Sequence, residues 1–166
     1  MQVRDTIPEK FKELFPFEKF NRVQSAVLPY VLNTDENIVV CAPTASGKTV
    51  IAELAMIKQL NSQGKTLYLG PLKALTYEKE EKWGKIFNRL GYRVYITTGD
   101  EEISPYEANA SEIIVSTPEK WDSASRKWNK RGYHFVNDIS LLIIDEVHLL
   151  DSDSRGGVLE AIVSRM

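Results

Sequence analysis

The chain has 166 residues, of which 43% are hydrophobic and 27% charged, a length that buries one sizeable core and predicts a single globular domain over residues 1–166. A formal net charge of -2 excludes a global basic field for non-specific nucleic-acid binding, so any such contact must be local. The single cysteine, Cys41, excludes an internal disulfide framework, and its place in an apolar run predicts a core position in a protein of a reducing compartment.

In chain order, residues 1–20 form an N-terminal extension whose charges and Pro8 stand where a signal peptide needs apolar residues. Asn21 is a candidate N-cap, and Val23, Ala26, Val27, Tyr30 and Val31 then fall on one face of a helix. Apolar runs follow at Ile38–Ala42, Thr66–Leu69, Val94–Thr97, Ile113–Ser116 and Leu141–Ile144. They lack the in-and-out alternation of a half-exposed strand and predict parallel strands buried on both faces. Helical spacing separates them, at Ile51, Leu54, Ala55 and Lys58, and over a long stretch from Lys73 to Leu90. Residues Gly157–Met166 have helical spacing with no stop signal behind them, which predicts a piece of a longer polypeptide. The alternation predicts an α/β fold: an open, mostly parallel sheet with helices on both faces, and ligands at the carboxyl ends of its strands. No run reaches the length of a membrane span, so a soluble intracellular protein with no membrane partner is expected, cytoplasmic in a prokaryote and open to the nucleus in a eukaryote.

The segment Ala42-Pro43-Thr44-Ala45-Ser46-Gly47-Lys48-Thr49 follows a predicted strand and opens a predicted helix. A loop in this position turns its backbone N–H groups inward and adds the positive end of the helix dipole, which suits the phosphates of ATP. Pro43 to Gly47 would line the phosphates, Gly47 lets the backbone approach without a Cβ, Lys48 reaches the β- and γ-phosphates, and the Thr49 hydroxyl ligates magnesium. Ala42 stands where the strict motif has its first glycine.

Leu141-Leu142-Ile143-Ile144-Asp145-Glu146 delivers two carboxylates just past a strand end. Asp145 is the candidate magnesium-linked residue and Glu146 the candidate general base for the attacking water. Read alone, the same pair would be a helix cap and a first-turn acid. His148 joins the candidates through its neighbours, whereas His134 reads as polar surface.

The loop from Ala42 to Thr49 with Asp145-Glu146-Val147-His148 resembles the DExH-box branch of superfamily-two helicases. Phe20-Asn21-Arg22-Val23-Gln24 resembles that family's Q motif, which implies that the Gln24 amide reads the adenine edge. Phe17 or Phe20 could stack on the base, or equally staple the helix. Pro71-Leu72-Lys73-Ala74-Leu75, Thr98-Gly99-Asp100 and Ser116-Thr117-Pro118-Glu119-Lys120-Trp121-Asp122 resemble segments that line the nucleic acid in the family. They imply contacts by Pro71, Lys73, Thr98, Gly99, Thr117, Pro118 and Lys120, although each segment alone reads as well as an ordinary turn between strand and helix.

Thr117 to Asp122, with Arg155-Gly156-Gly157, Leu159-Glu160 and Ser164-Arg165, looks most like the Ski-type helicases. The resemblance runs from Phe17 to Met166 and implies a RecA-like phosphate-loop domain that couples ATP hydrolysis to 3'-5' translocation and unwinding. It also implies a second RecA-like lobe, whose arginines the chain does not supply, so weak nucleic-acid binding and little turnover are expected of the chain alone. DNA is slightly favoured as the track. An RNA helicase of the same branch and a non-catalytic, nucleotide-dependent binding module are the alternatives.

Overall fold

The computed structural model describes residues 2–43, 46–62, 64–70, 79–97, 102–148 and 156–166. The chain divides into two units, Met1–Ser62 and Gln63–Met166.

In the first unit a short helix, α1 (Val3–Thr6), is pinned by a Val3 N–H bond to the Glu18 carbonyl at 2.9 Å, and a 3₁₀ turn over Glu9–Leu14 buries Phe11 and Leu14. Helix α2 (Arg22–Asn33) then packs on α3 (Lys48–Gln59). Asn21 caps α2 as its sequence predicts, in a full capping box with Gln24. The inward face differs from the expected one, however. Gln24, Leu28 and Val31 are buried, while Ala26 is exposed and Tyr30 is 58% exposed. Because the capping box turns the Gln24 side chain back and inward, the buried stripe runs through Gln24 rather than through Val23 and Val27.

Residues Ile38–Ala42 do not form a strand, contrary to the sequence expectation. They carry no ladder partner, with Ile38 41% and Val39 74% exposed, and Cys41 is a free thiol on the surface rather than in a core. Apolar content alone does not make a strand, which also needs a partner for its backbone hydrogen bonds, and no ladder pairs this run among the described residues.

The second unit holds a four-stranded sheet with β1 (Lys65–Leu69), β2 (Val94–Ile96), β3 (Ile113–Ser116) and β4 (Ile139–Ile144) in the order β2-β3-β1-β4, every pair parallel. Helices lie on both faces, as in RecA-like domains. They are α4 (Lys85–Arg89), which continues a π-helical turn over Glu80–Gly84, α5 (Pro105–Ala110), α6 (Pro118–Ser125) and α7 (Gly156–Val163). The core gathers Leu67, Leu69, Ile114, Trp121, Phe135 and Ile162. Strand β3 is buried throughout and β1 nearly so, matching the unalternated apolar runs, whereas β2 and β4, at the two ends of the described sheet, are only half-buried, contrary to expectation.

The sheet matters to function through its rim. Strand β1 pairs with both β3 and β4, and the ladder continues one residue further, with Gly70 N–H bonded to the Ser116 carbonyl at 3.0 Å and Asp145 N–H to the Leu69 carbonyl at 2.9 Å. The carboxyl ends of three strands therefore present Gly70, Thr117 and Asp145 side by side.

Candidate functional site

At the end of the candidate phosphate loop the expected helix opens, without the strand expected in front of it. Gly47 adopts a left-handed conformation, φ 81° and ψ 31°, and α3 begins at Lys48. Two side chains from the start of α2 hold this turn: Asn21 Nδ2 donates to the Ser46 carbonyl at 2.8 Å and Gln24 Nε2 to the Gly47 carbonyl at 3.3 Å. A Cβ on Gly47 would lie 2.2 Å from Gln24 Nε2, so the glycine is required twice, by its φ and by that approach. The Lys48 ammonium donates to the carbonyls of Ala42 at 2.7 Å and Pro43 at 3.1 Å. Thr49 is exposed, Pro43 is exposed, and Thr44 and Ala45 lie outside the described residues.

These residues fit a bound nucleoside triphosphate. The Ser46 hydroxyl is buried with no hydrogen-bond partner among the described residues, so it is an orphaned donor inside the loop. The first turn of α3 carries no acidic residue, which leaves its N–H groups and dipole for an anion. Phosphate oxygens would offer the Lys48 ammonium an anionic partner in place of the neutral carbonyls it holds.

For the base, Gln24 is 5% exposed and its amide already bonds the Asn21 N–H through Oε1 at 2.9 Å and Gly47 through Nε2, leaving one N–H and one lone pair. Phe20 is buried and packs edge-on against Phe15 and Phe17, with ring centroids 6.2 and 5.8 Å away, whereas Phe17 keeps part of its ring exposed. The staple alternative has no apolar partner, because Ser25 occupies the position that would receive Phe20.

In the second unit, Asp145 follows β4 and both carboxylate oxygens are engaged. Tyr68 Oη donates to Oδ2 at 2.5 Å, Lys79 Nζ lies 3.7 Å from the same oxygen, and Oδ1 accepts the Glu146 N–H at 3.1 Å. Those partners are not the deeper N–H groups a helix cap would take, which disfavours the capping alternative. Glu146 has φ 58°, a conformation that costs a non-glycine residue about 1–2 kcal/mol and clusters at functional sites. His148 Nδ1 stands 3.3 Å from Glu146 Oε2, with the histidine 72% and the glutamate 39% exposed.

Among the nucleic-acid candidates, Thr117 caps α6 without a side-chain bond and Pro118 is its buried first residue, a helix start legible from Thr-Pro-Glu. Lys120 lines a cavity of about 230 Å³ with Glu102, Glu119, Ser123, Lys127 and Tyr133. Buried at the neighbouring strand ends, Thr97 Oγ1 donates to Ser116 Oγ at 2.9 Å. Pro71, Lys73, Thr98 and Gly99 lie outside the described residues.

Sequence reasoning missed Tyr68 and Lys79 as partners of Asp145, and missed the bond from Asn21 to the loop. Tyrosine in a strand reads as core and lysine as surface, so neither carries a signal. Asn21 gave only its capping signal.

No helix among the described residues is long and apolar enough to cross a membrane. The family model for the DEAD/DEAH box helicases matches residues 21–166. The chain is 42% identical over 168 aligned positions to the probable ATP-dependent DNA helicase HFM1 of Xenopus tropicalis, covering 96% of this chain and 12% of that protein. It is 44% identical to activating signal cointegrator 1 complex subunit 3 of Homo sapiens, covering 93% of this chain and 7% of that one. The chain thus spans about a tenth of the length of the curated relatives it matches. A crystal structure described as a hypothetical ATP-dependent RNA helicase from Sulfolobus tokodaii superposes with a TM-score of 0.75 at 25% identity, covering 96% of this chain and 47% of that one. The chain belongs to the DEAD/DEAH box helicase family, as a Ski-type DExH-box first RecA-like lobe.

Proposed function

We propose that the chain is the ATP-binding motor lobe of a nucleic-acid helicase, and that its loop from Ala42 to Thr49 takes the phosphates of ATP. The observation that carries this reading is the loop itself. A left-handed Gly47 delivers the chain into α3 at Lys48, and a buried Ser46 hydroxyl has no hydrogen-bond partner among the described residues.

In this reading Lys48 exchanges its carbonyl partners for the β- and γ-phosphates, Thr49 and Asp145 hold magnesium, and Glu146 takes the proton of the attacking water. Magnesium, when bound, neutralises charge on the phosphate oxygens. Gln24 reads adenine with its remaining N–H and lone pair, and Phe17 offers the exposed part of its ring for stacking. His148 holds the Glu146 carboxylate and passes its state to a second lobe. Thr117, Pro118 and Lys120, with Pro71, Lys73, Thr98 and Gly99, take phosphates of the track one at a time. DNA is the favoured track, because relatives at 42% and 41% identity are named as DNA helicases.

ATP turnover of the polypeptide carrying this lobe, with and without DNA or RNA, tests the reading when wild type is compared with Glu146→Gln. Retained nucleotide binding with lost stimulated turnover supports it. Unchanged turnover contradicts the role of Glu146, and nucleotide binding with no turnover in either protein favours the binding-module alternative.

A further inference from the structure

Asp145 is a carboxylate with a resident partner. Lys79 is only 8% exposed, and a buried ammonium is costly unless a charge or an aromatic face compensates it. Lys79 has both. Its Nζ lies 3.7 Å from Asp145 Oδ2, 4.9 Å from the Tyr68 ring centroid and 5.3 Å from that of Trp83. The two rings meet edge to face at 5.0 Å and are themselves buried, Tyr68 at 2% and Trp83 at 0% exposure, so the ammonium sits in a packed socket. Tyr68 serves the arrangement twice, since its ring faces the ammonium while its hydroxyl donates to the same Oδ2. The three residues come from separate parts of the chain: near the end of β1, just before the π-helical turn, and just past β4.

We propose that Lys79 is the counter-ion of Asp145 and, with Tyr68, its positioning group, so that magnesium must share this carboxylate with a fixed lysine. The inference rests on the reading of Asp145 as the magnesium-linked residue. A unit charge 3.7 Å from the oxygen that a dication needs opposes metal binding, and the Tyr68 hydroxyl keeps that oxygen from turning away. Lys79 thereby sets how tightly the site holds magnesium, and keeps Asp145 balanced when no metal is present.

The test is the rise in thermal midpoint when magnesium is added to protein saturated with ADP, read in wild type, Lys79→Met, Lys79→Arg and Asp145→Asn. Lys79→Met should melt lower without metal and gain more from magnesium than wild type does, because the metal supplies the missing charge. Lys79→Arg, which keeps a cation, should gain as wild type does. A magnesium gain in Lys79→Met equal to or smaller than that of wild type overturns the proposal. Should Lys79→Met fail to fold, Lys79→Gln keeps a polar head without charge and is held to the same outcomes. Asp145→Asn separates the two claims. If it loses the magnesium gain while Lys79→Met behaves as wild type, only the lysine proposal falls. If it keeps the gain, or if wild type shows none, the metal reading of Asp145 falls and the lysine proposal falls with it.

Discussion

Gln24 donates through Nε2 to the carbonyl of Gly47 at 3.3 Å, while its Oε1 accepts the Asn21 N–H at 2.9 Å. One side chain thus closes the first turn of α2 and braces the turn that opens α3, so the residue expected to read adenine also shapes the candidate phosphate loop. Gln24→Ala should lower stability by about 1 kcal/mol for the lost back-bond, measured by urea unfolding. If the remaining amide groups read adenine, it should also reduce the preference for ATP over GTP in competition binding; an unchanged preference would confine Gln24 to bracing.

Gly47→Ala combines a strained φ with a Cβ placed 2.2 Å from Gln24 Nε2. A loss of about 1–2 kcal/mol from the backbone conformation alone is expected in urea unfolding. Gln24→Ala removes the crowding but not the strain, so the double variant should lose less than the sum of the two single changes. Strict additivity would contradict the contact.

Tyr68→Phe keeps the ring packed on Trp83 and deletes only the hydroxyl that donates to Asp145. Hydrogen bonds to charged groups contribute about 1.5–3 kcal/mol, so a loss of that order is expected at neutral pH. The same change in an Asp145→Asn background should cost less, because the acceptor's charge is gone. Equal costs in both backgrounds would show that the hydroxyl's partner is not the carboxylate.

The Asp122 side chain joins α6 to the turn that follows α7, accepting from Arg126 Nε at 2.9 Å and from Arg165 at 2.6 Å. Burial pushes its carboxyl up, but hydrogen bonds and charge from Arg126 and Arg165 outweigh burial and hold it below the usual carboxylate range. A depressed folded-state value means that this stabilisation is fully present above the unfolded value, about 3.9, and is lost as pH falls through the folded one. Asp122→Asn should therefore lower the urea midpoint at pH 7 and narrow its distance from wild type as pH falls below about 4. A constant offset across that window would contradict the pairing.

How much of this was legible in the sequence depends on whether a residue's role is local. The runs Thr66–Leu69 and Ile113–Ser116 announced buried strands because burial on both faces removes polar alternation, and β1 and β3 have it removed. Thr117-Pro118-Glu119 and Asn21 announced helix starts because caps are set by adjacent residues. Ile38–Ala42 misled because apolar content cannot supply a pairing partner, and Cys41 followed that run to the wrong side of the surface. The face of α2 misled because the capping box with Asn21 and a bond to Gly47, distant in sequence, together hold the polar Gln24 inward. Asp145 and Glu146 were legible as a motif, but Tyr68 and Lys79, which hold Asp145, were not. Their meeting depends on the pairing of β1 with β4, which no local pattern encodes.

The central claim is that the loop ending at Lys48 and Thr49 holds the phosphates of ATP. Equilibrium titration of a fluorescent ATP analogue with magnesium, comparing wild type with Lys48→Ala, tests it most directly. The account predicts saturable binding by wild type, displaced by unlabelled ATP, and a loss of at least about tenfold in Lys48→Ala, the equivalent of about 1.4 kcal/mol. Equal affinity in the two proteins, or no binding by wild type, would contradict it.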